Sequence, residues 1–255
     1  MLPGLTEVQE WTTAGGVPLM SAVIPADHHQ VWRQLRAEHR HTGWYPLLTW
    51  GAAVVAEDSF EYSNDIQGPE ALARALEVDP AERMELLTRS VIGWGLEEYP
   101  GSEIEEFREH DPELLAAELV PVTTRPPGRR IYTSAEGEYE VLLVQATAGY
   151  EIPALVPGLI RPANWFGAEW HPDLTIEDHV AVYRLWHHKY GADLYFAGGS
   201  QLELAVTRPP VTPLETAKCA IEQWVYCGDL AQKLGDPVDV ARRQAPADHW
   251  SFWWD

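Results

Sequence analysis

The chain has 255 residues and a mass of 28.7 kDa, is 45% hydrophobic and 22% charged, and is long enough to bury one large core or two small ones. Its 39 acidic residues against 18 basic ones give a net charge of −21 and a pI near 4.7, which opposes a phosphate backbone or an anionic lipid surface and leaves a basic protein partner open. Met1 to Trp11 shows no basic start followed by an apolar stretch, apolar runs such as Trp50 to Ala56 are too short to span a bilayer, and two cysteines do not suggest a disulfide scaffold, so a cytoplasmic protein with no nucleic-acid or membrane role is expected.

In chain order, Leu19 to Ile24 reads as a strand, and Asp27 can cap a helix running to about His41 that Gly43 closes. The next apolar stretch, Trp44 to Trp50, contains Pro46, which makes it an edge strand or the start of one because proline cannot donate to a ladder. The charge then becomes uneven. Residues 57 to 118 hold 18 acidic and 4 basic residues, a net −14. Pro69, Asp79-Pro80 and Asp111-Pro112 each open a helix there, and Met84, Leu87 and Val91 share a buried face of the second. The segment reads as a solvated outer face or, alternatively, as a binding surface, with Glu97-Glu98 and Glu103 to Glu113 as its most acidic part. Thr123 to Arg130 (TTRPPGRR) suggests an exposed connection, after which Glu138 to Ala146 resumes as a buried strand.

The C-terminal half carries the clearest local signals. Thr175 and Asp178 approximate a capping box for a helix with Ile176, Val180, Tyr183 and Trp186 on one face, ended by Gly191. Ala192 to Ala197 and Gln201 to Thr207 form a hairpin around Gly198-Gly199-Ser200, and in its second strand Leu202, Leu204 and Val206 are expected to face a core, with Gln201, Glu203 and Thr207 on a wetter side. Thr212, Pro213 and Glu215 open a helix expected to run to about Leu230. The passages His39 to Leu48 and His187 to Phe196 share a helix-Gly-strand outline, which is too common to count as a repeat.

No nucleophile elbow, phosphate loop, zinc-protease motif or CxxC pair is present. Histidines cluster at His28-His29, His39-Arg40-His41 and His187-His188, but adjacent ones diverge by about 100° on a helix and do not converge on one ion, so no metal site and no cofactor are assigned. On one helix, Glu222, Tyr226 and Asp229 would share a face beside Cys227, making Glu222, Cys227, Asp229 and His187 the catalytic candidates. Cys227 at a negative helix end among carboxylates is a poor thiolate, and a buried, inert thiol under the terminal tryptophans is favoured. Asn164, Trp165, Trp250, Trp253 and Trp254 lie in turn-like or terminal segments where aromatic rings either dock or edge a ligand groove. Arg184 or Arg208 is a candidate to hold the charge of Asp255.

Four stretches together carry a resemblance: Trp186-His187-His188-Lys189-Tyr190-Gly191-Ala192, Arg208-Pro209-Pro210, Glu222 to Asp229, and Trp250-Ser251-Phe252-Trp253-Trp254-Asp255. With Pro153-Ala154 and Asn164, they resemble the bacterial domain-of-unknown-function family 4253 over about residues 150 to 255, and Gly15 to Leu48 resembles a region found in many actinobacterial members. Gly228 departs from the proline usual there. The resemblance implies a fold and a lineage and transfers no catalytic residue.

The expected architecture is α+β, a mixed and largely antiparallel sheet packed with helices. Residues 1–56 form a strand-helix-strand region, 57–122 an acidic helical segment and 131–255 the C-terminal domain. The expected function is a non-catalytic binding or inhibitory, immunity-like protein for a basic partner; the alternative is a hydrolase-like enzyme with a carboxylate and histidine site near the C-terminal aromatic motif.

Overall fold

A computed structural model describes residues 5–13, 15–24, 27–50, 67–98, 110–121, 139–156, 158–160 and 165–255. The chain runs β1 (Thr6–Thr12), β2 (Pro18–Val23), α1 (His28–Thr42), β3 (Trp44–Thr49), α2 (Pro69–Glu77), α3 (Pro80–Glu98), α4 (Pro112–Ala117), β4 (Glu140–Gln145), a 3-10 turn Gly149–Glu151, α5 (Ile152–Leu155), α6 (Ile176–Tyr190), β5 (Ala192–Gly198), β6 (Gln201–Val206), α7 (Pro213–Tyr226), α8 (Leu230–Lys233), α9 (Pro237–Arg243) and β7 (His249–Trp253). The strands form one open sheet in the order β1-β2-β4-β3-β5-β6-β7. Among the described strands, β3 and β5 are the one parallel pair. The protein is α+β.

Local chemistry sets most helix ends. The Asp27 carboxylate accepts from Gln30 N, Asp79 accepts from Ala81 N and Glu82 N, and Asp111 accepts from Glu113 N and Leu114 N. Complete capping boxes open α6 (Thr175 with Asp178) and α7 (Thr212 with Glu215). Gly43 and Gly191 close α1 and α6 at φ 74° and 60°, in the left-handed region where a side chain would be strained.

Alternation along the strands makes both faces of the sheet apolar. On one, Trp32 and Leu35 of α1 pack with Leu48, Val141, Leu143, Tyr195 and Phe196. The other face buries Tyr45, Leu47, Leu142, Leu194, Leu202 and Leu204 in one core with Met84 and Leu87 of α3, Trp186 of α6 and Val225 of α7. The acidic helices join this core from outside, α2 and α3 against α6 and α4 against α7. At ~25 cal/mol per Å² of apolar surface removed from water, such contacts are what hold short helices in place.

Three local expectations are corrected. Strand β3, although it contains Pro46, lies at the centre of the sheet between β4 and β5. Pairing with β5 occurs only at Leu48, and the Pro46 carbonyl accepts instead from the Trp32 indole at 2.9 Å, so the missing donor breaks no ladder bond there. In β6, Glu203 is not on a wet face: it is 2% exposed and bound to His249 of β7 at 2.9 Å. The helix from Pro213 ends at Tyr226, with Cys227 as its cap, rather than near Leu230. The TTRPPGRR connection and Glu103 to Glu109 lie outside the described residues.

Candidate functional site

The parallel pairing of β3 and β5 brings the C-terminal ends of α1 and α6 to the same end of the sheet, because each helix turns through a glycine straight into one of those strands. Arg36 of α1 therefore reaches Asp193 of β5, placing Nε at 3.2 Å and Nη2 at 2.8 Å from Oδ2. From α6, Nδ1 of His187 lies 3.2 Å from the other carboxylate oxygen and 3.3 Å from the Ala192 carbonyl. Arg36 also contacts His39 Nδ1 at 3.1 Å and lies over the Tyr45 ring, while Tyr150 packs edge-on to His187. Burial opposes the charge of Asp193, but His187 and Arg36 outweigh it and hold the carboxyl below its ordinary range. The Asp193 carboxylate in turn raises the pKa of His187 against the effect of burial. The imidazole is 30% exposed, so a carboxylate-oriented acid-base group reaches solvent here.

The other end of α6 is closed. Asp178, fully buried, accepts from Arg83 of α3 at 2.9 Å through one oxygen, and its second oxygen takes His171 Nε2, Thr175 N and Thr175 Oγ1 at 3.0, 2.7 and 2.9 Å. Next to it, His179 Nδ1 meets the Tyr226 hydroxyl at 2.6 Å, and that hydroxyl meets the Tyr183 hydroxyl at 2.5 Å. Burial lowers His179 to about 4, against the pull of Asp178, and raises both phenols. Tyr226 is also packed edge-on by Trp186, Phe252 and Trp254.

The remaining candidates from the sequence do not converge on one site, because α7 stops at Tyr226. Glu222 receives Lys189 Nζ at 2.6 Å and the Trp186 indole at 3.1 Å, and burial raises its pKa although Lys189 pulls it down. Asp229 accepts from the backbone N of Asp255 at 2.9 Å, so it fixes the tail. Arg184 donates instead to the Leu76 carbonyl, and Arg208 to those of His187 and His188. The Cys227 thiol donates to the Trp253 carbonyl at 3.0 Å, and burial pushes its pKa up, the opposite of what a nucleophile needs. Trp250 and Trp254 are completely buried and offer a ligand no exposed edge; Trp165 is buried with its indole donating to the Val225 carbonyl. Trp253 is half-buried under Lys233. Asn164 lies outside the described residues.

A cleft of about 600 Å³ opens between α3, α4 and α7, with Glu222 on its wall beside Ile221, Lys218 and Arg89. Among the described residues, no three histidine, cysteine or carboxylate side chains are placed to hold a metal ion. No helix among them is long and apolar enough to cross a membrane. Sequence reasoning missed Arg36 and Asp193 as partners of His187. The available signal was the shared helix-Gly-strand outline, which corresponds to the adjacent parallel strands that bring these residues together.

Residues 140–255 match the model of the family described as Domain of unknown function (DUF4253). The match begins at β4, the strand that sits between β2 and β3 in the sheet. No curated protein and no solved structure matches the chain.

Proposed function

We propose that the protein is a non-catalytic binding protein that captures a basic protein partner, in the manner of an immunity protein masking its target, in a bacterial cytoplasm. The observation that carries this reading is the direction of charge on the middle helices. Arg74 and Arg83 are directed to Glu177 and Asp178 of α6, while Glu70, Glu77, Asp79, Glu82, Glu85, Glu113 and Glu118 are exposed. The segment thus turns two of its few cations onto the neighbouring helix and keeps a surplus of carboxylates in water, an arrangement suited to steering a basic partner. Co-purification at low salt followed by mass spectrometry is expected to yield a basic protein whose capture weakens as salt rises. Repeated recovery of the chain alone would count against the reading.

The His187–Asp193 pair favours a second reading, a hydrolase-like enzyme in which His187 acts as acid or base, Asp193 orients it and Arg36 supplies a positive charge. A broad hydrolase panel separates the two: turnover abolished by His187→Gln supports the enzyme, and its absence in the unmodified protein removes that reading.

A further inference from the structure

Most of the large aromatic side chains described here are buried or half-buried, but a loop beside α3 presents two that are not: Trp170 is 56% exposed and Phe166 39% exposed. Trp94 of α3 lies against Phe166 with ring centroids 4.8 Å apart, and the Trp170 indole reaches the neighbouring Gly93, its Nε1 3.8 Å from where a Cβ there would stand, so Phe166 and Trp170 pack on the same turn of α3 and present a shelf. The shelf has a fixed shape. Ser90 of α3 accepts from Ala168 N at 2.9 Å and donates to the His171 carbonyl at 3.0 Å, and His171 N closes a turn onto Ala168 O at 2.8 Å. His171 is tied to the buried Asp178, and Trp165 beneath it is anchored to α7 through the Val225 carbonyl. Gly93 permits the close approach, since a Cβ there would stand 3.3 Å from that of Ala168. The Trp170 indole makes no hydrogen bond among the described residues. Glu169, the chain neighbour of Trp170, and Asp173, three residues further on, are exposed carboxylates on the same loop.

Burying an exposed aromatic shelf is favourable for any partner, but the chemistry of the rim selects one kind. An arginine side chain can stack its guanidinium on an indole while donating to neighbouring carboxylates, and tryptophan is the strongest of the aromatic faces for a cation. We propose that Trp170, Phe166 and Trp94 form the anchor for an arginine side chain of a basic partner, with Glu169 and Asp173 as its carboxylate rim. This rests on the basic-partner reading above and adds to it the place of closest engagement: the acidic helices steer, and the shelf holds.

The test is calorimetric titration of the full chain with an oligoarginine peptide over a range of salt concentrations. Trp170→Ala is expected to weaken binding roughly 3- to 10-fold, with the salt dependence unchanged because no charge is removed. Glu169→Gln with Asp173→Asn is expected to reduce the salt dependence itself. Val120→Ala, at another exposed apolar residue, 81% exposed, should bind as the unmodified chain does. Thermal melting of each variant checks that the fold is kept. Wild-type affinity in Trp170→Ala, or an equal loss in Val120→Ala, would overturn the shelf while leaving the acidic-surface reading in place. Failure of the unmodified chain to bind the peptide at any salt concentration would overturn both.

Discussion

The two ends of α6 hold histidines of opposite character. At the N-terminal end, His179 is sealed beside Asp178 and Tyr226, its pKa lowered to about 4 by burial. At the C-terminal end, His187 is partly exposed and raised by Asp193. Two turns of one helix therefore separate a neutral imidazole serving as a packing and hydrogen-bonding element from one held ready to carry charge. Burial decides between these roles. Where no water reaches, only a network with its polar atoms matched persists, and where water enters, a carboxylate can orient an imidazole and still leave it accessible.

Asp178→Ala should give the largest effect, because it leaves Arg83 and His171 without their shared acceptor and removes the capping-box carboxylate. A loss of about 3–5 kcal/mol is expected in urea unfolding at neutral pH. The pH dependence of stability follows in size. His179 has a folded pKa below its unfolded value of about 6.5, so its contribution is present above that pH and falls away as the medium is acidified toward 4. His179→Gln should flatten that loss, which is on the order of 3 kcal/mol at its limit. Tyr226→Phe leaves the ring in place and takes away the hydroxyl shared by His179 and Tyr183, for an expected loss of about 1–3 kcal/mol. His187→Gln should be the mildest, under about 1 kcal/mol, since its pair with Asp193 is partly exposed. The sign is opposite to that of His179. With a raised folded pKa, the His187 contribution is complete below about pH 6.5 and disappears as pH rises through the folded value, so its removal should steepen the acid loss. Equal pH profiles for the two variants would break the comparison.

The helices were legible because their signals are local. Asp79-Pro80 and Asp111-Pro112 cap the following turns through their own carboxylates, and Thr175 and Thr212 do so three residues ahead. The buried face of α3, read from Met84, Leu87 and Val91, depends only on helical period. The shared face expected of Glu222, Tyr226 and Asp229 was lost to a local detail with a long-range consequence. Ending α7 at Tyr226 sends Asp229 to the tail and leaves Glu222 to Lys189, so residues expected on one face serve two separate places. Cys227 differed, because a negative helix end predicts a poor thiolate before its burial is known.

By itself the sequence determined where α1, α3, α4, α6 and α7 begin, the β5–β6 hairpin, where the acidic excess lies, and that aromatic rings gather at the C-terminus, since these depend on neighbours in the chain. Only the tertiary structure decided that β3 is central despite Pro46, that Glu203 is buried against His249, and that Arg36 meets Asp193 across 157 residues. The order of strands in a sheet depends on which apolar faces and unpaired backbone edges find one another after the helices form, and those contacts leave no periodic trace in the chain.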